Sequence, residues 1–570
     1  MAHIIANIKV ENFRSIKSES FILNNFTPLV GYNNGGKSNL LEAIKWLLRR
    51  TNLIESDFND ITKPVIVEAK VIGLTTEIVD ALEAKHKKKI EKFIIDSSIQ
   101  IRRSQNAPNS KENCSFDLLS DDGNWEVNPN GIDQSIQALF PEPIHIGAME
   151  NSEEDVSKNK AGTTIGKLLK DILEPLEAKY SSEVFNALKD INEQLTSEGT
   201  NRAKELSDFD DSVNTKINEF FPGVEIKVHI PNPEIKEVLG KGTIRVFEDN
   251  AVCGRDISSL GHGAQRSIQM ALVRHLADVK RNSDNKYTNT LLLIDEPELY
   301  LHPQAVIILR ESLKALSKNG YQVIFSTHSP FMINSDDMEN TVFVRKDEAN
   351  GTFTRPTIKS AIQQLKLDAL SQIELIHDFS NSSNILFSDK VILAEGKTEK
   401  RVLPTIIEAI TEKSLGENKI ALVSLQGAGS LKRTMDVLTA LGLPSKGVVD
   451  LDYAITKFKS HKLFDETNSD MLACKAYFKS KETEFGLKLS DDGWPTKKGT
   501  IGSEEAFAKL AVDVTLKPNL ESIISLFNAN NVWVWSKGAI ENHLNIDAKN
   551  ENHWLLFCLL YTSPSPRDRG

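Results

Sequence analysis

Cysteine is scarce in this sequence: Cys114, Cys253, Cys474 and Cys558 are the only four in 570 residues, widely spaced and without a CxxC pair. That excludes a disulfide framework and a zinc ribbon, and it leaves these thiols as small buried hydrophobes in a reducing, cytoplasmic setting. Long apolar runs are missing too. The longest candidate, Trp554 to Leu560, falls well short of the roughly 18 residues a bilayer span requires, and the opening MAHIIANIKVENF lacks the form of a signal peptide, so no membrane partner is expected. Positive charge is in deficit, with 68 Lys and Arg against 79 Asp and Glu. A net charge of −11 gives no global field for nucleic acid or acidic lipid, so any DNA contact must come from local patches or a metal ion. Proline is sparse, at 20 residues, and 40% hydrophobic content excludes a disordered, mucin-like or collagen-like chain.

What is present is material for about three or four domains, at roughly 100 to 200 residues each. The strand-like runs IIANIKV, FTPLV and VIVEAKVIGL alternate with polar turns, and the first strong helix begins at Lys37, where Leu40, Leu41, Ile44, Leu47 and Leu48 follow a 3.6-residue period. Between about Thr164 and Phe220 the pattern turns helical, with Ile165, Leu168, Leu169 and Ile172 on one face and Val184, Leu188, Ile191 and Leu195 on another. This reads as an inserted arm that either joins a second copy or packs on its own domain. VEIKVHI and TIRVFED read as strands, and TLLLID and YQVIFST suit buried parallel strands. A polar stretch before KVILAEG places a boundary near residues 375 to 388, after which a second α/β domain begins.

The chemistry starts at Gly31-Tyr-Asn-Asn-Gly-Gly-Lys-Ser38, a GxxxxGK[ST] pattern placed directly after a strand and before a helix. Backbone donors of such a loop cradle phosphates, the helix N-terminus adds its dipole, Lys37 reaches the β and γ phosphates and Ser38 ligates Mg²⁺. The nucleotide-contacting set is then Asn33, Asn34, Gly35, Gly36, Lys37, Ser38 and Asn39. Its partners follow in order. The strand Leu291–Ile294 ends in Asp295, suited to hold the Mg²⁺, and Glu296, suited to polarise the attacking water. His328, closing the strand YQVIFST, is placed to contact the γ-phosphate or that water. Between them Ser258-Ser-Leu-Gly261-His-Gly263-Ala-Gln-Arg266 opens an apolar helix, where a second subunit would offer backbone donors to ATP; a plain helix cap is the simpler alternative.

Together these motifs resemble the ABC-type ATPase heads of the SMC, RecF and OLD (overcoming lysogenisation defect) proteins, and ENFRSI and IDEPELYLHP are particularly similar to OLD nucleases. The resemblance implies a head dimer that sandwiches ATP, with Arg14 near the nucleotide. Ser-Leu-Gly-His-Gly departs from LSGGQ and no Q-loop glutamine precedes it, which implies slow hydrolysis.

A second, acidic constellation lies downstream. Val391-Ile-Leu-Ala-Glu395-Gly-Lys-Thr-Glu399 puts one carboxylate at a strand end and another four residues on, and Gly447-Val-Val-Asp450-Leu-Asp452 ends a further strand, where alternation is expected to send both acids to one side. Each pattern alone is as readily a solvated strand end. Converging on one pocket, the acids suit Mg²⁺ or Mn²⁺, and two such ions stabilise the attacking and leaving oxygens of phosphodiester hydrolysis. Their order is similar to the Toprim fold, and Trp535-Ser-Lys537-Gly-Ala-Ile-Glu541 resembles the lysine and glutamate near the end of OLD proteins. By that resemblance Lys537 offsets charge on the scissile phosphate and Glu541 completes the metal set of Glu395, Glu399, Asp450 and Asp452. Gly427-Ala-Gly429-Ser430 serves a phosphate or a tight turn; Ser503 joins the metal shell or, with Glu504 and Glu505, caps a helix. Tyr453, beside the DxD, would need a topoisomerase domain this sequence lacks. Lys87, Lys88, Lys89, Lys457, Lys459, Lys462, Lys497 and Lys498 are candidate DNA contacts or plain surface.

The fold expected is therefore α/β: an ABC-type, SMC/RecF-like P-loop ATPase in residues 1–160 and 223–375 with a helical insertion at 161–222, a Toprim domain at 388–556, and a non-native tail at 557–570. The resemblance implies an ATP-binding, metal-dependent DNA endonuclease in anti-phage defence, a homodimer or higher oligomer acting alone or with a defence-system partner. The alternative is a RecF/SMC-like DNA-binding ATPase or partner-dependent sensor without nuclease activity of its own.

Overall fold

The computed structural model describes residues 3–109, 114–140, 143–147, 179–180, 182–183, 191, 193–230, 245–247, 253–281, 290–366, 383–425, 428–465, 467–546 and 551–562. Most of the expected helical arm, Gly427 and the last eight residues lie outside them. Contacts divide the chain into two compact units: Met1–His3, Gly73–Lys92 and Gly131–Phe325 form one, and Ile4–Ile72, Phe93–Asn130 and Ser326–Gly570 the other.

In the second unit, strand Ile4–Phe13 runs antiparallel between Ile16–Ile22 and Val65–Ile72, and the meander continues through Ser98–Gln105, Cys114–Leu119 and Trp125–Glu126. Period-two burial along Val65–Ile72 shows one face packed and one wet. Strand Phe26–Val30, buried throughout, pairs in parallel with Val342–Asp347, which forms a hairpin with Gly351–Arg355. A parallel sheet follows in the order Ile420–Ser424, Lys390–Ala394, Ser445–Val449, Val532–Val534. One apolar core, from Val30, Phe343 and Ile358 to Leu393, Val423 and Phe527, runs through this unit without a break.

In the first unit, Ile144–Ile146, Thr290–Ile294 and residues 321–325 make parallel pairs, flanked by helices His262–Arg281 and Pro303–Ser317. The strand expected at VEIKVHI does not form. Its backbone groups are taken by side chains instead: Asn214 bonds both ways with Ile226, Arg202 donates to the Val228 carbonyl, and Val228 N–H donates to Asp210. Those partners lie on or beside helix Lys204–Phe220, which the expected insertion included. Among the described residues, Arg245–Val246 pairs with Arg255–Asp256. At the far end, helix Glu551–Thr562 continues past 557 and buries Trp554 against Val402 and Ile540. No helix among the described residues is long and apolar enough to cross a membrane.

Candidate active site

The phosphate loop is bent where the sequence supplies glycine and asparagine: Gly36 sits at φ 97° and Asn34 at φ 61°. A Cβ on Gly36 would collide with Thr352, and one on Gly31 with the Val344 carbonyl, so the hairpin after strand Val342–Asp347 closes tightly over the loop. Thr352 Oγ1 donates to the Gly35 carbonyl (3.1 Å) and pairs with Ser15 Oγ (2.8 Å), which accepts from Asn39 Nδ2 (2.6 Å). Lys37, 4% exposed, donates from Nζ to the Gly31 and Tyr32 carbonyls (3.1 and 3.0 Å) and lies 2.7 Å from His328 Nε2. Lys37 and His328, far apart in sequence, thus meet at one point. Ser38 opens the helix Lys37–Leu48, and Asn33 and Asn34 are exposed. Arg14, at φ 49°, turns to Asp57 (2.9 Å) and stacks its guanidinium over Phe13.

Asp295 and Glu296 end the strand Thr290–Ile294 in the other unit; Asp295 is buried, and Glu296 takes φ 47°. Arg266, 2% exposed, reaches from the helix that begins at His262 and donates to both their carbonyls at 2.9 Å. Gly263 packs beneath Tyr300, whose ring lies 5.6 Å from that of His262, and Gly261 accepts the first turn's N–H groups. No sequence pattern marked Arg266 or Thr352 as structural clamps, because each acts on a segment distant in the chain.

The acidic residues gather at the carboxyl ends of the parallel strands. Glu395, Asp450 and Asp452 offer oxygens that all lie within 4.8 Å of one another. They do not converge by strand alternation. Asp450 is the N-cap of helix Leu451–Thr456 and Asp452 sits in its first turn, so the change from strand to helix aims both acids at Glu395. Asp450 N–H donates to Glu395 Oε2 (3.2 Å), while Asp450 Oδ1 is buried without a hydrogen-bond partner. A cavity of about 520 Å³ holds this trio together with Glu399, Glu541, Thr398, Ser503, Glu504 and Lys497. Thr398 Oγ1 donates to Glu541 Oε1 (2.7 Å). Lys537 does not line the cavity; it is exposed, with its N–H on His543. Tyr453 is buried, its hydroxyl 2.7 Å from His461 Nε2, away from the cavity.

Crowded carboxylates resist ionisation. Burial, with Asp452 close by, pushes Glu395 up to about 7; burial, then Glu395, pushes Asp450 up to about 9. Glu399 and Asp452 are raised as well, chiefly by burial. An orphaned buried oxygen amid oxygen-only donors fits a hard divalent cation.

The AAA ATPase domain model matches residues 4–333, and the TOPRIM domain model of overcoming lysogenization defect-like proteins matches residues 386–452. The Old nuclease of Escherichia phage P2 is 39% identical over 571 residues, covering 99% of this chain and 97% of that protein. The chain belongs to the overcoming lysogenization defect (OLD) family. It is an α/β ATPase–nuclease of the OLD type. The OLD nuclease of Thermus scotoductus is 28% identical over 35% of this chain and 37% of its own length. Endonuclease GajA of Bacillus cereus VD045 is 23% identical over 71% of this chain and 68% of its own. A solved SMC head bound to the C-winged helix domain of ScpA aligns with 63% of this chain and 99% of its own at a TM-score of 0.38.

Proposed function

We propose that this OLD protein binds ATP at Gly31–Ser38 and cuts or nicks DNA at the Glu395–Asp450–Asp452 cluster with Mg²⁺ or Mn²⁺, in cytoplasmic anti-phage defence. The observation that carries the reading is the convergence of those three carboxylates within 4.8 Å at the strand ends. Glu395, Asp450 and Asp452 would hold the divalent cation, with Glu399 and Glu541 at the same cavity wall. The cation, when bound, lowers the pKa of water and neutralises phosphate charge. The chain's own residues shape the rest. Thr398 fixes the Glu541 carboxylate, the Asp450 N–H orients Glu395, and Lys497 at the rim supplies positive charge for a phosphodiester backbone.

In the ATPase, Asn33 to Asn39 would cradle the phosphates, Ser38 and Asp295 hold Mg²⁺, and Glu296 and His328 orient water. Gly261 and Gly263 would face the ATP of a second copy, which makes the working form at least a homodimer; Arg14 would move to the nucleotide only by leaving Asp57. The domain limits proposed are 1–160 and 223–375 for the ATPase, 161–222 for the insertion and 388–556 for Toprim. The test is conversion of supercoiled plasmid to nicked or linear form with Mg²⁺, with Mn²⁺ or with EDTA, each with and without ATP. Cleavage that needs the metal supports the reading; cleavage in EDTA, or intact plasmid in every metal-containing arm, contradicts it.

A further inference from the structure

Tyr32, the residue after the first glycine of the phosphate loop, turns its ring away from the loop and into a cluster of charges. Lys419 Nζ lies 4.4 Å from the ring centroid and the Arg345 guanidinium 5.0 Å. Asp389 ties these cations together, 3.6 Å from each. Burial, with the Asp389 charge beside it, pushes the Tyr32 hydroxyl up to about 12, so the ring stays neutral and offers an undistorted π-face to both cations. Arg345, 4% exposed, also donates to the Leu386 and Ser388 carbonyls in the segment entering the Toprim sheet.

Asp389 and Lys419 occupy equivalent places in two neighbouring strands. Asp389 immediately precedes Lys390–Ala394, Lys419 immediately precedes Ile420–Ser424, and the N–H of Asp389 donates to the Lys419 carbonyl at 2.9 Å. The first of these strands ends at Ala394, and Glu395 follows it, about 20 Å from Asp389 at ~3.3 Å per residue. A rigid, parallel-paired strand therefore connects the Tyr32 cluster with the carboxylate trio. At the other end of the connection, the Tyr32 carbonyl accepts one of the Lys37 Nζ hydrogen bonds. Phosphates that draw Lys37 toward themselves take that bond from Tyr32, so the same residue meets the nucleotide-dependent lysine through its backbone and the Toprim strand through its ring.

We infer that Tyr32, held by Lys419, Arg345 and Asp389, is a positioning residue that passes the nucleotide state of the phosphate loop to Glu395 through strand Lys390–Ala394. The inference rests on the ATP-binding reading of the loop and specifies how that site controls the second one. The coupling has a physical basis in two discrete lysine arrangements, one on loop carbonyls and one on phosphates.

Hydrogen–deuterium exchange on the full chain, with and without ATP and Mg²⁺, tests it alongside plasmid cleavage. The variants are Lys419→Gln, Tyr32→Leu and the conservative Tyr32→Phe. In the parent, ATP should slow exchange at residues 31–38 and also change it at 389–396. Lys419→Gln should keep ATP binding and the parent's ATP-free cleavage, lose the response at 389–396, and reduce the ATP-dependent change in cleavage on the order of five- to tenfold. Tyr32→Leu should lose the same response, and Tyr32→Phe, which keeps a ring between the cations, should retain it. A parent that responds at 31–38 but not at 389–396 overturns the inference, as does a full response in both Lys419→Gln and Tyr32→Leu. Uncut plasmid with an intact response at 389–396 defeats the nuclease reading and leaves the coupling standing. No response at 31–38 defeats both.

Discussion

Asp450 carries a buried oxygen with no hydrogen-bond partner and stands beside Glu395, an arrangement that costs stability until a cation or a proton answers it. Both acids hold their protons more tightly folded than unfolded. Their contribution to stability is therefore greatest below about pH 4, and it declines as pH rises through about 7 for Glu395 and about 9 for Asp450. Melting temperatures in EDTA should fall between pH 5 and pH 9, and Mn²⁺ should restore most of the loss at pH 8. Asp450→Asn should flatten the EDTA profile; a parent profile that rises with pH would count against this electrostatic picture. Arg266 is a buried cation whose terminal nitrogens donate to the Asp295 and Glu296 carbonyls and to Gln269. Arg266→Ala should cost about 2–4 kcal/mol, read by denaturant unfolding, and suppress ATP hydrolysis by freeing the strand end. The residue types at both sites were legible in the sequence, since strand ends bearing EG, DxD and DE are visible as strings. The burial that raises Glu395 and Asp450 was not, because it depends on helices that pack from elsewhere in the chain.

At the scale of elements, the phosphate loop was readable because its strand, glycine turn and helix are contiguous, and Phe26–Val30 and Lys37–Leu48 form as their patterns require. What closes the loop was not readable: Thr352 arrives from a hairpin far along the chain. Gly36→Ala should lose ATP binding and cost about 1–3 kcal/mol, since its φ of 97° and the Thr352 side chain both oppose a Cβ; calorimetry with ATP checks it. The two Asp residues of DxD illustrate a right pairing reached for a wrong reason. Alternation along a strand would align them, but the chain turns helical at Asp450 and brings them together by capping and first-turn geometry. VEIKVHI failed as a strand because Asn214, Asp210 and Arg202 supply its hydrogen bonds, a competition that hydrophobic pattern does not report. The last described helix matters to the acidic cavity as well. Trp554 lines that cavity and packs on Val402 and Ile540, so Trp554→Ala should destabilise the Toprim half by about 3–5 kcal/mol, measured by thermal unfolding.

For the whole molecule, two acid-and-phosphate chemistries share one chain but not one set of residues. Lys37 and His328 meet at the phosphate loop; Glu395, Asp450 and Asp452 form the carboxylate cluster. Both were recognisable in outline from motif order, and the 39% identity to the phage P2 Old nuclease along nearly the whole chain supports that outline. The expected helical arm, which either joins a second copy or packs on its own domain, lies mostly outside the described residues. The proposed division of labour is most directly tested by assaying Asp450→Asn and the parent side by side for plasmid cleavage and ATP hydrolysis, in Mg²⁺ and in Mn²⁺. The expected result is cleavage reduced by on the order of 10³-fold or more with ATP hydrolysis unchanged, in line with loss of an electrostatic catalytic group. Cleavage that survives in Asp450→Asn at the parent's rate would contradict it, because the cutting would then lie outside the carboxylate cluster.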